Sequence, residues 1–226
     1  DDKQPQWEEL TAALWNILGK SHSASLYGIV ASLAVAYPSR LYDILLFLCQ
    51  DLRFIVADLN RYSHEITADS RTITFHRHKN WGQERLQSNK LPHRQEHLET
   101  RLLKAQCNYD MSEKPEDKVR LEQAYKVVDA IKEQEATLES SDVTYQFVTK
   151  RIDYRSHHKR NVTLNNGMQA VELTPDLSPT LKAISEETAT YSERMIAMSL
   201  RVWADKTYKG EDVKGNPFTE KPHFAF

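Results

Sequence analysis

Hydrophobic positions along this chain fall mostly at helical spacing, with one extended, turn-marked interruption late in the sequence. Trp7, Leu10, Leu14, Ile17 and Leu18 recur every three to four positions and predict a helix over residues 7–20, stopped by Gly19-Lys20-Ser21. Residues 23–37 are almost wholly apolar and uncharged. That stretch is shorter than the roughly 20 residues a bilayer span needs. Pro38 ends it, and Ser39 is placed to cap a following helix. From 40 to 62 the stripe Leu41, Ile44, Leu45, Leu48, Leu52, Ile55, Val56, Leu59 predicts one long helix. Charges at Arg40, Asp43, Asp51, Arg53, Asp58 and Arg61 interleave with it, so 23–59 reads as packed core helices rather than a membrane hairpin.

Residues 63–78 change character. Ile66, Thr72, Ile73, Thr74 and Phe75 stand among polar residues and predict an ordered loop or short edge strand. Residues 80–88 and 93–107 read as helices on either side of a break at Pro92. Lys114-Pro115-Glu116-Asp117 opens another helix, with proline in the first turn and acids at its positive end. Its stripe is Val119, Leu121, Tyr125, Val128, Ile131 and Leu138. Residues 142–148 are β-prone and 155–161 read as a basic loop. Two extended runs around Asn165-Asn166-Gly167 then predict a hairpin. A last helix is expected over 180–208, followed by a tail to 226. The expected fold is mainly α, a packed helical array with a small β-hairpin in the C-terminal third. A soft boundary near 140 separates a helical core, 1–140, from the hairpin, long helix and tail of 141–226, which are expected to pack on it.

Composition narrows the function classes. Net charge is −2, so no global basic field is available to hold nucleic acid. Six glycines in 226 residues argue against a Rossmann domain, a phosphate-binding loop or a many-turned β-sandwich. Gly19-Lys20-Ser21 ends like a phosphate-binding loop, but Leu14 stands where its first glycine belongs. Cys49 and Cys107 form no Cys-x-x-Cys pair. They read as two buried thiols in a reducing compartment, with a disulfide between them the alternative. The first residues, Asp-Asp-Lys, point to a segment of a longer protein or a tag remnant, and no secretory signal is visible. The expected location is the cytoplasm.

Two clusters carry candidate chemistry. His93-Arg-Gln-Glu-His97 matches the inverted zincin pattern His-x-x-Glu-His, which makes His93, Glu96 and His97 metal candidates for a hydrolase. Against this, His93 falls in the first turn of its helix, and spacing selects no third ligand among Glu122, Glu133 and Glu139. A surface or interface pair without metal is the expectation. Arg151, Arg155, Lys159 and Arg160, with His157, His158 and Tyr154, form the densest basic run. They are a candidate nucleic-acid contact, weighed against a solvated loop. Asn161-Val-Thr has the form of a glycosylation sequon and reads as chance. Trp7, Trp15, Trp81 and Trp203 read as core anchors.

The string Trp81…Glu84-Arg85…Ser88-Asn89-Lys90-Leu91-Pro92-His93-Arg94…Leu98…Leu102…Gln106 resembles a segment of very large bacterial STAND-type (NACHT-like) NTPases, some of which act as antiphage sensors. Arg151-Ile-Asp-Tyr-Arg155, Leu173-Thr-Pro-Asp-Leu177 and Leu200-Arg-Val-Trp-Ala-Asp-Lys206 are similar to stretches further along such chains. The likeness covers about 81–206. It implies the helical, non-NTPase part of such a protein: a scaffold that couples sensing to a switch or to assembly, without catalytic residues or cofactor in this segment. Its partners would be other domains of the parent or another protein, and oligomerisation is open. Trp81, Arg85, Pro92, Arg94 and Trp203 are then expected to be structural. A nucleic-acid-associated helical module and a metal-dependent hydrolase are the alternatives.

Overall fold

The computed structural model describes residues 4–21, 23–72, 87–88, 91–138, 143–163, 167–189, 201 and 208–209. The helices are α1 (Gln4–Lys20), α2 (Ala24–Ala36), α3 (Tyr42–Leu48), α4 (Leu52–Thr72), α5 (Leu98–Asp110), α6 (Pro115–Thr137) and α7 (Val143–Ile152). Short 3-10 turns lie at Pro92–Gln95 and Tyr154–Ser156. Strands β1 (His157–Thr163) and β2 (Gln169–Pro175) pair antiparallel, with Arg160 opposite Glu172 and Val162 opposite Ala170. Gly167, at a φ of 81°, supplies the left-handed residue of the connection. The molecule is mainly helical with one small hairpin in its C-terminal third, as the patterning predicts.

Contacts divide the chain into two units, residues 1–64 with 89–176, and residues 65–88 with 177–226. In the second unit, residues 179–189 are helical, and Leu181 is buried. The hairpin belongs to the first unit, and the boundary expected near 140 falls inside it, because α6 and α7 on either side both pack on α5. The first unit holds a continuous apolar core. Leu14 and Leu18 of α1 meet Val30, Ala31, Ala34 and Val35 of α2, then Ile44, Leu45 and Leu48 of α3, Leu52 and Ile55 of α4, Leu98 and Leu102 of α5, Val128 and Ile131 of α6, and Val148 and Ile152 of α7.

Several boundaries differ from the sequence expectation, each for a tertiary reason. The stripe over 40–62 is two helices, broken at 49–51. The break is served from α6, where Gln134 accepts from the Leu52 backbone N–H at 3.0 Å and donates to the Gln50 carbonyl. Ser39 caps nothing: α3 begins at Tyr42, and Leu41, before it, makes no side-chain cap. Residues 63–72 continue α4 rather than forming a loop or strand, and 73–86 lie outside the described residues. The β-prone 142–148 stretch lies mostly in α7, because Val148, Thr149 and Ile152 bury one helical face. The expected basic loop over 155–161 is a 3-10 turn leading into β1. Val119, expected in the buried stripe of α6, is exposed, while Ala124 and Val127 are buried there.

Among the described residues, no helix is long and apolar enough to cross a membrane. Cys49 is fully buried and Cys107 half-buried, and both are free thiols. Burial pushes the Cys49 thiol well above its ordinary range, so it packs as a small hydrophobe.

Candidate functional site

The densest chemistry in the first unit is a set of buried polar side chains where α4, α5, α6 and α7 meet. Each lies next to apolar core residues, so each needs a partner. Asp58 of α4 is 4% exposed and accepts from the Leu98 backbone N–H at 2.8 Å, which caps α5 from a different helix. Its other carboxylate oxygen pairs with Arg61 at 2.8 Å. In the first turn of α5, Glu99 is 5% exposed and receives the Arg151 fork at 2.7 and 3.0 Å. Two turns further, Gln106 is fully buried. Its amide donates to the Ile152 carbonyl at 2.8 Å and to Leu102 at 3.1 Å, and its oxygen accepts from the Tyr154 N–H at 3.2 Å.

Asp153 extends the junction toward the hairpin. It accepts from the Arg155 backbone N–H and Nε at 3.0 and 2.9 Å, and from Lys132 of α6. Burial would raise its pKa, but the hydrogen bonds from Arg155 and Lys132 outweigh that and hold the carboxyl below its usual range. Arg155 also reaches Asp129 and lies 4.5 Å from the Tyr125 ring centre. His157 Nδ1 is 2.8 Å from the Asp153 carbonyl, and Lys159 Nζ lies 3.6 Å from the Tyr154 ring centre and 3.8 Å from Asp110.

This placement bears on the basic run. Arg151, Arg155 and Lys159 are each matched to a carboxylate of the same unit, and Arg160 stands opposite Glu172 on the hairpin. Three of the four cations therefore have an acidic partner within the unit, the Lys159 contact being the longest at 3.8 Å. The wording of the motif hid this, because Glu99, Asp110 and Asp129 lie far away in sequence.

The metal candidates are also rearranged. His93 and His97 do not share a helix: Pro92–Gln95 is a 3-10 turn, Glu96 and His97 are extended, and α5 starts at Leu98. The i, i+4 spacing therefore loses its geometric meaning. The His93 side chain lies outside the described residues. Glu96 contacts Arg101 Nε at 2.6 Å and Lys104 Nζ at 2.8 Å, so its charge is already met by cations. His97 lies against Tyr62 with the rings tilted by 48° and their centres 4.9 Å apart, and its Nε2 is 2.9 Å from the Thr100 hydroxyl. Among the described residues, no group of three or more His, Cys, Asp or Glu is placed to hold a metal ion.

Of the expected structural residues, Trp81, Arg85 and Trp203 lie outside the described residues, as does the Pro92 side chain. Arg94 is half-buried, and its backbone N–H closes the 3-10 turn on the Leu91 carbonyl at 2.8 Å. Trp7 and Trp15 are not deep anchors: they make edge contacts with Tyr37 and Phe47, and Trp15 is 37% exposed. A groove of about 610 Å3 opens beside the α3–α4 break, lined by Tyr27, Phe54 and Leu138. Its polar members are engaged, Asp51 with Arg53 and Gln134 with the two backbone groups of the break.

No protein-family model and no curated protein sequence matches this chain.

Proposed function

We propose that this chain is a non-catalytic helical scaffold that works through protein–protein contact, as the regulatory or sensing segment of a larger multidomain NTPase of the STAND type with a role in antiviral defence. The reading rests most on α2. This helix carries no charge over its 13 residues, buries one face in the core, and leaves Leu26 and Ile29 outward at 39% and 56% exposure. Apolar side chains one turn apart on a helix fixed from behind are what a partner helix takes up. The buried junction supports the same reading, since its cross-links tie α4, α5 and the end of α7 into one rigid body, as a scaffold requires. Arg151-Ile-Asp-Tyr-Arg155 and Gln106, which belong to separate resembling strings, meet in it.

The parent reading frame and one variant test this. A frame that encodes an NTPase domain continuous with this chain is expected. In that full-length protein, Ile29→Glu should leave the melting temperature within a few degrees, because the residue is exposed. It should nevertheless uncouple trigger binding from ATP turnover. A reading frame that ends near these residues with no NTPase domain would overturn the proposal, and so would an Ile29→Glu protein with unchanged coupling.

A further inference from the structure

A second site is built on the outer face of α5, apart from both α2 and the buried junction. Arg101, Lys104 and Asn108 are spaced i, i+3 and i+7, so they line one face of that helix. The turn between α2 and α3 brings Ser39 against them, and with Tyr42 and Tyr109 they bound a pocket of about 110 Å3. That is far below the roughly 300–1,000 Å3 of drug-sized ligand sites, and it suits a small polyatomic ion. The side chains that line it are rich in donors. Among the described residues, the Ser39 hydroxyl and the Asn108 amide have no protein hydrogen-bond partner. Arg101 meets Glu96 through Nε at 2.6 Å, off the line of a good hydrogen bond, and its two terminal nitrogens have no protein acceptor. Lys104 has the Glu96 carboxylate alone, at 2.8 Å.

Two cations against one carboxylate leave the cluster with one positive charge. We infer that this pocket binds a small phosphate-type oxyanion, with the Arg101 fork and Lys104 carrying the charge and Ser39 and Asn108 donating hydrogen bonds. Ser39, Lys104 and Asn108 are exposed, so a tetrahedral oxyanion can replace water at several donors at once, and charge-assisted hydrogen bonds are the strong ones. Glu96 is the internal competitor: it occupies both cations when the pocket has no ligand, so it sets the affinity. The inference is independent of the α2 surface and of any parent domain.

The test is a titration of the whole chain with inorganic phosphate and with pyrophosphate, by calorimetry and by melting temperature, with ionic strength held constant using chloride. One saturable site is expected, with a melting temperature that climbs as the site fills. Arg101→Gln and Lys104→Gln should each weaken binding about tenfold. Glu96→Gln should tighten it several-fold, since it frees both cations. Glu133→Gln makes the same change in net charge on α6 and should leave affinity unchanged, as should Lys150→Gln on α7. If Arg101→Gln fails to fold, Glu96→Gln and Asn108→Ala decide the matter. The inference is overturned by chloride alone producing the same stabilisation, by weaker binding in Glu96→Gln, or by equal losses in Lys104→Gln and Lys150→Gln.

Discussion

Gln106, fully buried, and His97, half-buried, show two ways in which polar side chains are accommodated beside the core. Gln106 is fully buried, yet its amide satisfies a carbonyl and an N–H at the α7 exit that would otherwise be orphaned. His97 is a different case. Burial is the largest influence on its ring and lowers its pKa. Glu99 and Asp58 pull the other way, and Arg151 and Arg61 push it further down. Its Nδ1 is buried without a hydrogen-bond partner, so the neutral ring is the form the fold accepts. Because the folded pKa lies below the unfolded one, the unfolded chain takes up the proton first. The stability this gives is fully present above the ordinary imidazole pKa of about 6.5 and is lost as pH falls from there through the folded value. Denaturant titrations between pH 8 and 5 should show stability declining over that interval, and His97→Gln should flatten the decline. A wild-type profile already flat below pH 6.5 would contradict the assignment.

At the scale of elements, the helix stripes were legible because burial of one face repeats every three to four residues. The helix ends were not. Ser39 is a good cap by residue type but faces the α5 pocket instead, while α5 takes its cap from Asp58, 40 residues earlier in the chain. The α3–α4 break is supported by Gln134, about 80 residues later. A local pattern carries no sign of partners at such separation. The same blindness turned His93-Arg-Gln-Glu-His97 into an apparent helical motif and left Glu99, Asp129 and Lys132 unremarked. The hairpin was found through its Asn-Asn-Gly turn, yet its strands run further toward the helices than the turn suggests, because His157 anchors β1 in the body. Asp58 is therefore the point at which one helix dictates where another begins. Asp58→Ala should cost about 2 kcal/mol in urea denaturation, the loss of a buried cap and its charge. Asp58→Asn keeps an acceptor for the Leu98 N–H and should cost clearly less. Equal losses in the two variants would assign the effect to the Arg61 pair rather than to the cap.

Across the first unit as a whole, stability is unevenly distributed. The helices share one apolar core, whereas the hairpin is a two-stranded ribbon whose residues beyond His157 are mostly exposed. Such ribbons are marginal in water by themselves, so this one depends on how its base is held. The base is held by Arg155, which joins Asp153 at the end of α7 to Asp129 and Tyr125 on α6, and is helped by Lys159 over Tyr154. These contacts are partly exposed, with the Arg155 side chain at 37%, so their loss should be modest for the whole domain and large for the ribbon. Arg155→Ala should therefore speed amide hydrogen exchange across residues 157–163 and 169–175 by about tenfold or more, while α2, α3 and α5 keep their protection. A matched increase throughout the helices would mean that the ribbon and the core open as one unit, and that Arg155 acts on the fold rather than on the hairpin's attachment.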